Sequence, residues 1–384
     1  SAEGMGFPHY EDMFRFEEAL KFRAHDKALV AMVTFRGLCF TSGDLSVRVW
    51  DMKKMMATAA EEKAAALEAA AYVDGETKEA DTMTKKKKGE EPDGSQEAPM
   101  ELSTPVANCF RDTVDIARIL ECDQYLYACS ANGALRQWSL PFDPTKVAFR
   151  GQMWLHNRVI NDAAHWTYGD ESVLFTACDD RVCRVWDLTK NACLHVIKPH
   201  DRESGTLRSV AASDHLLFLG SSNGKIYVYP TMQVCRREDR HECFLPPGPV
   251  PFCPQAELRH GDLDQEGGQD HTYDGHAKPV VSALSVGGLH GRQDRLFSGG
   301  TDGEVWIWSI PGEGTQFHCL QRLRAAHSLA VTQIRCAWAH VITAGDDACV
   351  RAFSLCPGAG WGSAGKEALE RVVKVSGRVR ALHR

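Results

Sequence analysis

The sequence predicts an all-β protein built from six copies of one β-hairpin, and two observations carry that prediction. The first is Ser172–Leu188 (SVLFTACDDRVCRVWDL), two runs of β-formers with period-two apolar side chains around a polar Asp179-Asp180 turn. The second is its return at Gly37–Met52, Tyr125–Leu140, Leu216–Thr231, Arg295–Ile310 and His340–Leu355. Every copy sets an acidic or amide residue six places before an aromatic: Asp44/Trp50, Asn132/Trp138, Asp180/Trp186, Asn223/Tyr229, Asp302/Trp308 and Asp347/Phe353. One hairpin is marginal in water, so six imply sheets that bury one another's faces.

A fixed offset repeated six times is an internal repeat, and here the chain resembles the WD40-repeat family. Trp50-Asp51 and Trp186-Asp187 carry the dipeptide, and the upstream Gly-His marker stands as Ala24-His25, Pro199-His200, Gly275-His276 and Ala326-His327, with His156 lacking its Gly. The resemblance implies a β-propeller with four strands per blade. Residues 1–384 then form a single propeller with six recognisable repeats. Seven blades by design with an incomplete last blade is the expected count, and a six-bladed ring is the alternative.

Taken in order, Ser1–Asp12 is a lead-in and Phe14–Arg23 is expected as an outer strand, by its place before Ala24-His25 and against its helical propensity. Val30–Phe35 follows as an innermost strand. The hairpin pattern then stops. Lys53–Val73 is Ala-, Glu- and Lys-rich and favours helix, while Asp74–Pro105 is charged and reads as disorder. Residues 53–113 are therefore expected to be a partly disordered insertion. Val114–Leu120 resumes as an inner strand, with outer strands near Val147–Trp154 and Cys193–Lys198. A second insertion, 232–274, is rich in Pro, Gly, His and Cys and lacks strand periodicity. Phe317–Arg324 joins the fifth and sixth hairpins, Ala368–Ser376 is another outer strand, and Arg378–His383 begins like an inner one.

A formal charge of −7 speaks against general binding of polyanions, which needs a surplus of Lys and Arg. The 14 cysteines sit mostly within strands, where a thiol packs as a small apolar group, and form no compact disulfide framework. With no signal peptide, no bilayer-length apolar run and no glycosylation sequon, a cytoplasmic or nuclear protein is expected.

Three polar sets recur in the repeats: His25–Thr41–Asp44–Trp50, His156–Thr176–Asp180–Trp186 and His276–Ser298–Asp302–Trp308. They invite comparison with a catalytic triad, but the resemblance implies structural tetrads, buried hydrogen-bond chains in which Asp accepts from His and Trp donates its indole N–H. Phe353 has no donor, so the sixth repeat is expected to be tied less tightly. Gly220–Gly224 matches a nucleophile elbow around Ser222, yet spans a hairpin turn where that motif needs a strand-to-helix turn. Cys235, Cys243, Cys253 and His260 are a weak zinc candidate, because their spacing matches no common finger. Lys85–Lys88 is flanked by acidic residues and reads as a solvated polyampholyte. Arg48, Arg136, Arg184 and Arg351 stand two places before the hairpin aromatic, where their stems are expected to cover strand surface.

No catalytic residue, metal or cofactor is expected. The leading function is a non-catalytic scaffold that binds peptides or proteins on a loop face, as a subunit of a larger complex. The partner-binding candidates are Asp26, Lys27, Asn157, Arg158, Arg181, Asp201, Arg202, Lys225, Lys278 and Ser328. A component of an RNA-processing or ribonucleoprotein assembly is the alternative, although direct nucleic-acid binding by this chain is not expected. A ubiquitin-ligase substrate receptor is a weaker one, because Arg does not stand two places after either Trp-Asp.

Overall fold

The computed structural model of the chain describes residues 29–43, 45–58, 60–61, 107–111, 115–122, 124–140, 148–168, 171–199, 205–235, 256–259, 280–288, 293–312, 317–323, 326–337, 340–354 and 369–374. These residues form six four-stranded sheets, each made of strands consecutive in the chain and paired antiparallel. The first joins β1 (Ala31–Phe35), β2 (Leu38–Gly43), β3 (Ser46–Asp51) and β4 (Ala107–Arg111). The second joins β5 (Ile116–Cys122), β6 (Tyr125–Ser130), β7 (Ala134–Ser139) and β8 (Ala148–Trp154). The third holds β9 (Ile160–Tyr168), β10 (Glu171–Cys178), β11 (Cys183–Asp187) and β12 (Ala192–Ile197). The fourth holds β13 (Leu207–Ala212), β14 (Leu216–Ser221), β15 (Lys225–Pro230) and β16 (Ala256–Arg259). The fifth is β17 (Val281–Gly287), β18 (Arg295–Gly300), β19 (Val305–Ser309) and β20 (Cys319–Leu323). The sixth is β21 (Val331–Ala337), β22 (His340–Gly345), β23 (Cys349–Ser354) and β24 (Leu369–Lys374).

Each predicted hairpin is the pair of middle strands of one sheet. The expected outer strand Phe14–Arg23 and inner strand Arg378–His383 lie outside the described residues. Two expectations change. The insertions 53–113 and 232–274 each return a strand to the propeller, β4 and β16, which pair with β3 and β15. A bare third strand would present a row of unpaired N–H and C=O groups, and pairing removes that edge. Strands of four or five residues carry too little periodicity to stand out in a polar stretch.

The chain also turns helical at residues 52–58 (α1), inside the stretch of high helix propensity. Asp51 caps it, its Oδ1 accepting from the N–H groups of Lys53 and Lys54 at 3.1 and 3.2 Å. In the third sheet Asp187 performs the same service for a tight turn, accepting from Thr189 and Lys190. The Asp of both Trp-Asp dipeptides therefore closes the chain reversal that leaves the third strand.

Apolar packing lies between sheets. One cluster joins the first and second sheets through residues such as Phe40, Val49, Leu126 and Trp138. Equivalent clusters join second to third, third to fourth, fourth to fifth and fifth to sixth. Middle strands, covered on both faces, are buried along their length, as in β2 and β14. The outer β8 is largely exposed, with Trp154 and Phe149 open to solvent. Each large side chain so buried contributes about 1.5–3 kcal/mol of transfer free energy.

Innermost strands touch in the order β1, β5, β9, β13, β17, β21. Side chains stitch four of these contacts. Arg118 Nε on β5 pairs with Asp162 on β9 at 3.1 Å, and Asp162 Oδ2 accepts from Val210 N–H on β13. Ser209 donates to the Val281 carbonyl on β17, and Ser282 to the Val331 carbonyl on β21. Inside this belt lies a cavity of about 410 Å3 lined from all six sheets, the propeller's central channel.

Candidate functional site

The hairpin turns repeat one geometry. In five of them the Asp or Asn side chain accepts from the backbone N–H two residues on: Asn132 from Ala134, Asp180 from Val182, Asn223 from Lys225, Asp302 from Glu304 and Asp347 from Cys349, at 3.0–3.3 Å. An amide oxygen does this as well as a carboxylate, which is why Asn stands in two repeats. The next residue is left-handed in all six turns, with φ between 58° and 84° at Leu45, Gly133, Arg181, Gly224, Gly303 and Ala348.

One further bond recurs. The residue before the Asp or Asn donates its N–H to the carbonyl just ahead of the innermost strand. The pairs are Ala131 to Asp115, Asp179 to Val159, Ser222 to Thr206, Thr301 to Val280 and Asp346 to Ala330, at 2.8–3.1 Å. These five bonds place hairpin turns and innermost-strand starts on one face, around the mouth of the channel.

On that face Asn157, Arg158, Arg181 and Ser328 are exposed and Lys225 is half-buried. Asn157 and Arg158 lie between β8 and β9, Arg181 in the β10–β11 turn, and Lys225 at the head of β15. Ser328 precedes β21 and donates its N–H to Asp347 at 3.1 Å. Asp26, Lys27, Asp201, Arg202 and Lys278 lie outside the described residues.

Beneath the face, the same buried polar cluster appears in two blades among the described residues. In the third, the His156 ring meets Asp180 Oδ2 and Thr176 Oγ1, each at 2.8 Å. In the sixth, His327 meets Asp347 at 2.9 Å and Thr343 at 2.8 Å. An arginine closes each set. Arg184 and Arg351 donate to Asp180 and Asp347, both at 2.8 Å, and their guanidinium groups also reach Nδ1 of His156 and His327. Register explains this: Arg184 pairs across the ladder with Thr176, and Arg351 with Thr343. The arginines do more than cover strand surface. Burial lowers the pKa of both histidines and is only partly offset by the nearby carboxylates. Burial alone would raise Asp180 and Asp347. Their contacts with His156 and Arg184, and with Arg351 and His327, outweigh it and hold both carboxyls well below the usual range.

The tetrad members divide differently from the expectation. Trp50 donates to Thr41 at 2.8 Å and Trp308 to Ser298 at 2.9 Å, but His25, Asp44 and His276 lie outside the described residues. In the third blade Trp186 is buried and its indole N–H meets no acceptor among the described residues, because the Thr176 hydroxyl is engaged by His156 and the Arg184 carbonyl. The sixth blade, expected to be loosely tied for want of a donor at Phe353, is fully tied: Arg351 makes the link. Sequence reading missed His327–Thr343–Asp347–Arg351 by looking for an aromatic donor.

Thr176 and Thr343 are wholly buried, so no substrate reaches either hydroxyl. His156, Cys178 and Asp180 hold ligand atoms within 4.8 Å of one another, yet Arg184 already occupies that space. Burial also pushes the Cys178 thiol up to about 12. Cys235 packs in the apolar cluster between the third and fourth sheets, while its zinc-candidate fellows Cys243, Cys253 and His260 lie outside the described residues. Ser222 sits in the β14–β15 turn with its N–H on Thr206, in a strand-to-strand reversal.

The sequence model of the WD domain, G-beta repeat, matches residues 267–309, which include both strands of the fifth hairpin, β18 and β19. No curated protein matches the chain. Among solved structures it is similar to the RRP9 WD40 repeats, at 12% identity and a TM-score of 0.59 over 94% of this chain and 86% of that one. It is also similar to the computationally designed Ika8 protein, at 12% identity and a TM-score of 0.51 over 94% and 78%. The family match thus covers one repeat, the same turn chemistry recurs in the others, and the fold of the whole is a β-propeller like that of solved WD40 repeats.

Proposed function

We propose that the chain is a non-catalytic scaffold that captures a peptide or protein segment on the face formed by its hairpin turns and innermost-strand starts. It does so as a subunit of a larger complex. The observation that carries this reading is the five-fold bond between turn and inner strand, which holds loops from separate blades on one rigid face. Asn157, Arg158, Arg181 and Ser328 are exposed there, on loops whose ends are fixed by strands. Such a mixture of charge and hydrogen-bonding groups suits a polar or charged segment. Among the described residues no helix is long and apolar enough to cross a membrane.

The test joins Arg158→Glu, Arg181→Glu and Lys225→Glu in one chain. All three positions lie at or beside turns, so the melting temperature should stay close to that of the parent. Partner recovery in a native pulldown, quantified by mass spectrometry, should fall severalfold. Undiminished recovery by the folded triple variant would move the site to the outer rim or to the insertions.

A further inference from the structure

The central channel carries more positive charge than its own carboxylates use. Arg118, Arg208 and Arg335 line it, against Asp162 and Asp346. Asp162 is already engaged by Arg118, by Ala163 N–H and by Val210 N–H, at 3.0–3.1 Å. Arg208, 43% exposed, leans toward Asp179 at 3.6 Å near the mouth. Arg335 stands apart. Among the described residues its guanidinium makes one hydrogen bond, from NH1 to the carbonyl of the adjacent Ile334 at 3.0 Å. A guanidinium has five N–H donors, and those of the half-buried Arg335 that meet no described acceptor are open to a ligand in the channel.

From this geometry we infer that the channel is a binding site for a small phosphate-bearing ligand, held between Arg335 on β21 and Arg118 on β5. Arg118 spends only its Nε on Asp162, so both of its terminal nitrogens are available among the described residues. Two planar forks lining one cavity suit a dianionic phosphate better than a single carboxylate, which one guanidinium would satisfy. The cavity, about 410 Å3, falls in the size range of small-molecule sites. Burial and the neighbouring Arg118 together draw Arg335 down to about 10, with Asp162 opposing, as expected where an anion is wanted. The inference is separate from the loop-face reading, since none of these residues belongs to that face's charge set.

The experiment measures melting temperature and binding heat of the full chain with inorganic phosphate, pyrophosphate and a short phosphoserine peptide, against citrate and chloride at matched ionic strength. A saturable shift with the phosphates, absent with citrate, is expected. Arg335→Gln should weaken it by ~10-fold or more. Arg335→Lys, which keeps the charge and loses the fork, covers the case in which the glutamine variant fails to fold and should weaken it by a smaller factor. Tighter binding of the phosphoserine peptide than of pyrophosphate would assign the phosphate to a modified side chain, and the reverse order to a free small molecule. No saturable response to any phosphate, or a response unchanged by both Arg335 substitutions, overturns the site.

Discussion

At the scale of single residues, the Asp or Asn closes the turn in five repeats, and Asp180 and Asp347 also tie a buried cluster. Asp180→Ala removes both roles and should cost about 1–3 kcal/mol, whereas Asp180→Asn keeps the turn bond and should cost less. Asp347→Ala should match Asp180→Ala, because Cys349, His327 and Arg351 all lean on that carboxylate. Urea midpoints of the three variants compare them directly. The left-handed position offers a gain as well. Ala348, at φ 58°, bears a Cβ where glycine is easier, so Ala348→Gly should raise stability by about 0.5–1 kcal/mol. Gly303→Ala should do the opposite and cost more, since its Cβ would lie 2.2 Å from the His327 carbonyl oxygen.

Acid should act on the same clusters in two windows. His156 and His327 titrate lower in the fold than in the unfolded chain, so their contribution is complete above about pH 6.5 and is lost as pH falls below it. The depressed Asp180 and Asp347 contribute fully above about pH 4 and lose that contribution below it. Unfolding midpoints measured from pH 8 to 3 should therefore decline in two stages. A His156→Gln/His327→Gln chain should lose the upper stage and retain the lower.

At the scale of elements, the hairpins were legible because their information is local: a polar residue, a left-handed residue and an aromatic at fixed offsets. Glycine announces the left-handed residue at 133, 224 and 303, but Leu45, Arg181 and Ala348 give no such sign. The arginine that completes each buried cluster was visible in sequence but its purpose was not, because only the ladder register sets Arg184 against Thr176. Likewise, nothing local announces that Arg118 and Asp162 meet across two blades. The returning strands mark the limit most plainly. Removal of 74–105 should leave a cooperative melt, since loop length adds little closure cost. Removal of 74–111 also takes β4, bares the edge of β3, and should lower the melting temperature or promote association.

Across the whole molecule, stability lies in the seams between sheets. Five apolar clusters join six sheets in sequence, and among the described residues none joins the sixth to the first. Phe14–Arg23 and Arg378–His383, expected to contribute to a further blade, lie outside the described residues. Damage at one seam should therefore spread to its two neighbouring blades rather than remain local. Leu126→Ala, at the seam of the first two sheets, should cost about 2–5 kcal/mol and expose both sheets in hydrogen exchange ahead of the fifth.

The distance along the chain from β3 to β4 has a kinetic meaning. About fifty-five residues separate Asp51 from Ala107, while eight separate Ser139 from Ala148 in the second sheet. Nearly three doublings of loop length add about 1.7 kcal/mol to the entropy of closure. The first sheet is therefore expected to form its first three strands before β4 joins. In that interval the open side of β3 should be a vacant berth that the same strand of a second molecule would fill at high protein concentration. Refolding yield should then fall with concentration in the long-loop chain and recover when 74–105 is excised, making the length of that connection a control on assembly rather than on the finished fold.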